Sequence, residues 1–285
     1  MIDLHVHTTA SDGDKRPKEL VDYAIEKGID VIAITDHDTI EGVEEAINYS
    51  KDKKIMVIPG IEFDAESKKG QIHILGLFID YKDKNIQEKL KKVKDERNAR
   101  NDKFIAEFNK IGFDITLDEL KQVSNEEVIA KPHFAKVFLN KGYINKVEEI
   151  YTEYFNKSPF KEMIRMSYKP QEVIEIIKNA NGIAILAHPH SLKLDDELLE
   201  EKIKEFVSYG LDGVECYHSN HTKEQMSKYV EIANKHNLLI TKGSDYHGPV
   251  TKPDILLGRG LNENLVGCCN EDIIIEQLFN NKCTK

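Results

Sequence analysis

His5 and His7 stand two residues apart where the apolar run Ile2–Val6 ends. In an extended strand alternate side chains share a face, so both rings can reach one metal ion. Asp12 follows in Ser11–Asp12–Gly13, and a second apolar run closes on Thr35–Asp36–His37–Asp38. Glu62 ends a third run, in Gly60–Ile61–Glu62, and His73 lies between Ile72 and Ile74 in the next. His133 sits in Lys131–Pro132–His133, His188 in Ala187–His188–Pro189, and Glu215, Tyr217, His218 and His221 cluster near the end of another apolar run. Asp245 and His247, in Ser244–Asp245–Tyr246–His247–Gly248, repeat the two-residue spacing.

Each of these has an ordinary explanation when taken alone: a turn aspartate bonding its own backbone, a helix cap, a hydrogen-bonded core histidine. Together they put Asp, Glu and His at strand ends along the whole chain, and one shared site accounts for that recurrence better than many separate ones. An ionised glutamate in an apolar surround needs a cation or hydrogen bonds, which a carboxylate bridging two metals obtains. Nitrogen and oxygen donors without thiolate suit Mn²⁺, Fe²⁺ or Zn²⁺.

The elements that must hold these residues alternate. Pro17–Lys27 reads as a helix, with proline at its start and Gly28 as its C-cap. Strand Asp30–Ile34 precedes a helix near Glu41–Lys51, and strands Ile55–Phe63 and Gln71–Ile79 flank a Lys68–Lys69–Gly70 turn. That rhythm implies an α/β sheet or barrel, whose catalytic loops follow the strand ends. Between residues 82 and 168 the pattern is charge-rich and helical, as in Ile86–Phe108, with breaks near Gly112, Pro132 and Gly142. Alternation resumes through Pro170–Lys178, Ile183–Ala187, Asp195–Val207, Gly213–Cys216, Thr222–Lys235, Leu238–Lys242 and a last helix near Asp272–Phe279. The expected organisation is a barrel domain from 1–81 and 169–285, interrupted by a helical insertion, 82–168.

A chain of 285 residues, 40% hydrophobic and 32% charged, can bury the core of one large domain or of a domain with an insertion. The net charge of −10 argues against duplex DNA as a partner. No stretch approaches the roughly 18 apolar residues of a membrane span, and Ile2–Val6 lacks the basic flank of a signal peptide, so the expected location is the cytoplasm. Cys216, Cys268, Cys269 and Cys283 show no CxxC spacing and read as reduced thiols.

On these motifs the chain resembles the PHP (polymerase and histidinol phosphatase) family of metal-dependent phosphoesterases: HxH at His5 and His7, TDH at Thr35 to His37, GIE at Gly60 to Glu62, SDYH at Ser244 to His247. The resemblance covers nearly the whole chain. With its helical interruption and Lys131–Pro132–His133, the chain is similar to the subgroup of nucleoside phosphatases and short-oligonucleotide exonucleases.

The resemblance implies a distorted (β/α)₇ barrel with a site for three divalent ions, Mn²⁺ in the first place and Fe²⁺ or Zn²⁺ as alternatives. It implies that His5, His7, Glu62 and Asp245 hold one ion, that Glu62 also bridges to a second on His73 and His133, and that Asp12, His37 and His247 hold a third. It implies that His188 and His218 act on the substrate, in phosphate binding or proton transfer. Many relatives carry an arginine shortly after the AHP motif, whereas this chain reads His190–Ser191; Lys131 or Arg165 would substitute as the substrate-binding cation.

The implied activity is hydrolysis of nucleoside mono- or bisphosphates, or of short 5′-phosphorylated oligonucleotides, by in-line attack of a metal-bound hydroxide. His188 or His218 would assist the leaving oxygen. The insertion would wall the base, and Tyr143, Tyr151, Tyr154, Phe155 and Phe160 read as a stacking face or, at helical spacing, as core. Alternative readings are a histidinol-phosphate phosphatase and a non-catalytic, metal-stabilised module. The expected partner is a small phosphorylated substrate, with no membrane and no obligate protein partner.

Overall fold

The computed structural model describes residues 1–124, 128–164 and 166–283. These separate into two compact units, one of Met1–Glu88 with Ser167–Lys285 and one of Lys89–Met166.

The first unit is built on seven strands in sequential order. They are β1 (Ile2–Val6), β2 (Val31–Ile34), β3 (Met56–Ala65), β4 (Ile72–Leu77), β5 (Ile183–Leu186), β6 (Gly213–His218) and β7 (Leu239–Gly243). The segment after β7 returns to β1: His7 N–H donates to Tyr246 O (2.9 Å) and Asp245 N–H to His5 O (2.9 Å). The sheet is thereby nearly closed into an α/β barrel.

One departure from a regular (β/α) barrel decides where a ligand falls. β4 runs antiparallel to both β3 and β5, while the other neighbouring pairs are parallel. The carboxyl end of β3 therefore lies beside the amino end of β4, with Asp64 opposite His73. A histidine at a strand start joins residues at strand ends.

Helices cover the barrel because their apolar stripes demand it. α1 (Pro17–Glu26) has proline at its first position and buries Leu20, Val21 and Ala24. α2 (Glu41–Ser50) buries Val43 and Ala46. These residues pack with Val6, Ile32 and Ile34 on one side of the sheet, whereas Ile2, Leu4, Val31 and Ala33 pack with Leu75, Leu77, Ile183 and Ile185 on the other. Strand β1 changes face within its length: three steps from Asp3 to Val6 match two from Ile32 to Ile34, a β-bulge.

The second unit is helical. Segments within or running into it include α3 (Lys84–Lys110), α4 (Leu117–Val123), α5 (Lys131–Asn140) and α6 (Val147–Ile150), which runs into a wider turn over Tyr151–Phe155. Its core holds Phe104, Phe108, Phe134, Phe138, Phe155 and Phe160, with Tyr143, Tyr151 and Tyr154 packed against them. The aromatic residues at helical spacing are core of this unit. Among the described residues no helix is long and apolar enough to cross a membrane.

Candidate metal centre

The residues of the first unit expected to carry chemistry converge at the carboxyl ends of the parallel strands. β1 brings His5 and His7, the β1–α1 loop Asp12, the end of β2 His37, β3 Glu62 and the start of β4 His73. The segment after β5 brings His188, β6 brings Glu215 and His218, and the turn after β7 brings Asp245 and His247. His188 and Asp245 occupy left-handed backbone (φ 24° and 56°), which non-glycine residues adopt where the surroundings impose it.

Glu62 is the hub. Its Oε2 lies 3.2 Å from His5 Nε2, 3.3 Å from His7 Nε2 and 3.0 Å from His37 Nδ1, and its Oε1 lies 2.9 Å from both His73 Nδ1 and His188 Nε2. Five imidazoles surround one fully buried carboxylate. Asp245 Oδ1 lies 3.2 Å from His7 Nε2 and 3.4 Å from His247 Nδ1. Asp12 Oδ1 lies 3.3 Å from His247 Nε2 and 3.8 Å from His7 Nδ1.

The second nitrogen of each ring shows what these contacts are. His5 Nδ1 donates to Glu215 Oε1 (3.0 Å), so in the neutral ring Nε2 carries a lone pair, and that lone pair faces Glu62 Oε2. His247 Nδ1 donates to the Asp245 carbonyl (2.9 Å), leaving the Nε2 lone pair toward Asp12. Ser191 Oγ donates its only proton to Gln71 O (2.9 Å), so it accepts from His188 Nδ1 (3.1 Å), and the His188 Nε2 lone pair faces Glu62 Oε1. Three nitrogen lone pairs aimed at carboxylate oxygens repel unless a cation or a proton stands between them. His5 Nε2, His7 Nε2 and Glu62 Oε2 are buried with no hydrogen-bond partner. The donor set fits divalent metal ions.

The charges agree. Burial raises the Glu62 carboxyl, but the imidazoles around it, His37 and His5 foremost, hold it well below the usual carboxylate range. Burial likewise opposes ionisation of Asp12 and Asp245, and His247 with His37 for the first, Lys252 with His247 for the second, hold them low. Three anionic oxygen donors thus stand among neutralisable imidazoles.

Several roles were not readable in the motifs. Asp36, central to the TDH motif, accepts from Thr8 N and Thr8 Oγ (both 2.7 Å) and from Ser11 Oγ (2.6 Å), which fixes the loop carrying Asp12. Glu215 orients His5 and accepts the His188 N–H (2.8 Å). Lys252 Nζ lies 2.6 Å from Asp245 Oδ2. Gly243 leaves room for His5: a Cβ there would stand 2.3 Å from His5 Cβ and 2.5 Å from Glu215 Oε1.

His188, expected beside the substrate, lies in the carboxylate–imidazole cluster itself. His133, expected among the ligands, belongs to the second unit, where Ala130 N–H donates to its Nδ1 (2.9 Å) and puts the ring proton on Nε2. In that unit Lys131 Nζ stands over the rings of Phe155 (5.0 Å) and Phe104 (5.9 Å). Arg165 lies outside the described residues. His218 Nδ1 accepts from Asn220 N–H (3.1 Å), so its proton is on Nε2, 3.5 Å from Asp245 Oδ2.

An α/β barrel whose strand ends gather six imidazoles and three ionised carboxylates in groups that fit divalent ions defines a class of metal-dependent hydrolases. The comparisons with known proteins narrow it. The PHP domain model matches residues 3–241, and the chain belongs to that family. It is 28% identical to a 3′,5′-nucleoside bisphosphate phosphatase of Chromobacterium violaceum, covering 87% of each chain. It is 32% identical to a 5′-3′ exoribonuclease of Haemophilus influenzae, covering 87% of this chain and 90% of the relative. A solved structure from Bifidobacterium adolescentis, described as a metal-dependent phosphoesterase, superposes with a TM-score of 0.82 at 27% identity, over 97% of this chain and 94% of that one. The protein is a metal-dependent phosphoesterase.

Proposed function

We propose that the enzyme hydrolyses phosphate esters of nucleoside mono- or bisphosphates or of short 5′-phosphorylated oligonucleotides, using three divalent ions, with Mn²⁺ the preferred metal. The observation that carries this reading is Glu62 with imidazole nitrogens on both of its oxygens, the arrangement of a carboxylate shared between ions. The nucleotide part rests on the likeness to the bisphosphate phosphatase and the exoribonuclease.

His5, His7, Glu62 and Asp245 would hold one ion, Glu62 with His73 and His188 a second, and Asp12, His37 and His247 a third. This assigns His188 in place of His133, because the His188 lone pair and His73 share Glu62 Oε1. When bound, divalent ions held by these residues would supply charge neutralisation at the non-bridging phosphate oxygens and a water nucleophile near neutral pH. The chain's own groups do the rest. Glu215 and Ser191 fix the tautomers of His5 and His188. Lys252 offsets the charge of Asp245. His218 presents an N–H toward the substrate side of Asp245 and donates to the bound molecule.

The test is phosphate or nucleotide release from nucleoside mono- and bisphosphates, short oligonucleotides and histidinol phosphate with Mn²⁺-loaded protein. Turnover of the nucleotides supports the proposal. Turnover of histidinol phosphate alone would replace it.

A further inference from the structure

Beyond Asp245 lie three imidazoles that the metal centre does not use. His190, His218 and His221 each offer a ring nitrogen within 4.8 Å of the other two, and their ring centroids are 5.0 to 5.5 Å apart. His218 and His221 are buried, 1% and 4% exposed, while His190 is partly exposed and forms the solvent side of the cluster. His190 Nδ1, His218 Nε2 and His221 Nε2 are all buried atoms without a hydrogen-bond partner. Orphaned polar atoms in such density call for a ligand.

The tautomers say which kind. His221 Nδ1 donates to the Cys216 carbonyl (2.9 Å), so its Nε2 is an acceptor. His218 Nδ1 accepts from Asn220 N–H, so its Nε2 is a donor. One donor and one acceptor side by side do not make a metal site, since a protonated His218 Nε2 has no lone pair to give. They do not match an anionic phosphate oxygen either, which the His221 lone pair would repel. They match a hydroxyl, which accepts from one nitrogen and donates to the other. Two hydrogen bonds of about 2.9 Å meeting at one tetrahedral oxygen span about 4.7 Å between their nitrogens.

We propose that His190, His218 and His221 form a subsite for a ribose hydroxyl next to the scissile phosphate, so that the enzyme distinguishes ribonucleotides from deoxyribonucleotides. The inference rests on the nucleotide reading above. The 2′-hydroxyl, both donor and acceptor, is the group by which a protein tells RNA from DNA, and a site built to bond a hydroxyl rejects the analogue that lacks it. The subsite adjoins the centre through His218, whose Nε2 lies 3.5 Å from Asp245 Oδ2.

The experiment compares kcat/KM for a short 5′-phosphorylated ribo-oligonucleotide and its 2′-deoxy counterpart, using Mn²⁺-loaded wild type, His221→Phe and His190→Ala. His221→Phe keeps an aromatic ring, somewhat larger than imidazole, and removes the acceptor, and metal content is measured beside it. The expected result is a wild-type preference for the ribo substrate of at least tenfold. That preference falls by at least fivefold in His221→Phe and less in His190→Ala, through the ribo substrate alone and with metal content unchanged. Equal hydrolysis of both substrates by wild type, or an unchanged ratio in a metal-replete His221→Phe, would overturn the subsite while leaving the nucleotide reading intact. If His221→Phe fails to fold, His221→Gln, which restores an acceptor, must keep part of the preference; a complete loss there also overturns it. Hydrolysis of neither substrate by metal-loaded wild type would overturn the nucleotide reading and the subsite with it.

Discussion

His188 Nε2 stands 2.9 Å from Glu62 Oε1 with its lone pair toward the carboxylate, because a serine three residues on, itself committed to Gln71 O, holds the proton on the far side of the ring. A nitrogen and an oxygen that both lack hydrogen approach this closely only around a cation or a trapped proton. That contact is the ground on which we propose His188, in place of His133, as a metal ligand.

His188→Ala is therefore expected to lower the tightly bound metal by one equivalent per chain and kcat at least about 100-fold, more than removal of an outer-shell partner costs. His133→Ala, whose ring is an Nε2–H donor, is expected to keep the full count. Metal analysis of both variants after desalting checks the pair of outcomes; the reverse pattern would restore His133 as the ligand.

Glu215 touches no substrate in this account and acts through His5 and the His188 amide. Glu215→Gln is expected to weaken metal binding about 10–100-fold while leaving the fold intact. Competition against a coloured chelator measures the affinity, and thermal melting in the presence of chelator measures the fold.

Metal uptake should release protons. In the chelator-stripped protein burial pulls His7 and His73 down, but Asp245 and Glu62 around the first and Glu62 around the second outweigh it, and both are raised to about 9. Groups raised that far hold their protons at pH 7 to 8, and a metal must displace them. Apparent affinity is thus expected to rise with pH until about 9, and calorimetry of Mn²⁺ binding in buffers of different ionisation enthalpy should show net proton release. An enthalpy independent of buffer would contradict the protonated apo site.

Gly243→Ala adds a methyl group 2.3 Å from His5 Cβ and 2.5 Å from Glu215 Oε1. Both atoms belong to the ligand framework, so the variant is expected to lose metal affinity before it loses its barrel. Circular dichroism and metal content, measured together, separate the two losses.

Much of this was legible in the sequence, for physical reasons that can be named. HxH, TDH, GIE and SDYH are visible because parallel strands end at one face, so polar residues after apolar runs must meet there. The strands and helices followed from periodicity and from markers such as Pro17 with Gly28, and most predicted bounds fall within one or two residues of the observed ones. The parity change in β1 and the reversal of β4 were not legible, since a bulge and a strand direction are settled by partners distant in sequence. Neither was the role of His188, which depends on Gln71, a residue 120 positions before Ser191. Asp36 read only as the middle of the TDH motif or as a helix cap, and it serves to hold a loop, which its three donors reveal.

The most direct test of the central claim, that Glu62 is the shared carboxylate of a phosphoesterase centre, is Mn²⁺-dependent release of phosphate from a nucleoside 3′,5′-bisphosphate by wild type and Glu62→Ala, with metal content determined on the same samples. The account predicts turnover by wild type, at least about a 1000-fold loss in Glu62→Ala and the loss of more than one metal equivalent, as expected when one residue serves two ions. A Glu62→Ala protein that keeps its metals and its turnover would contradict it.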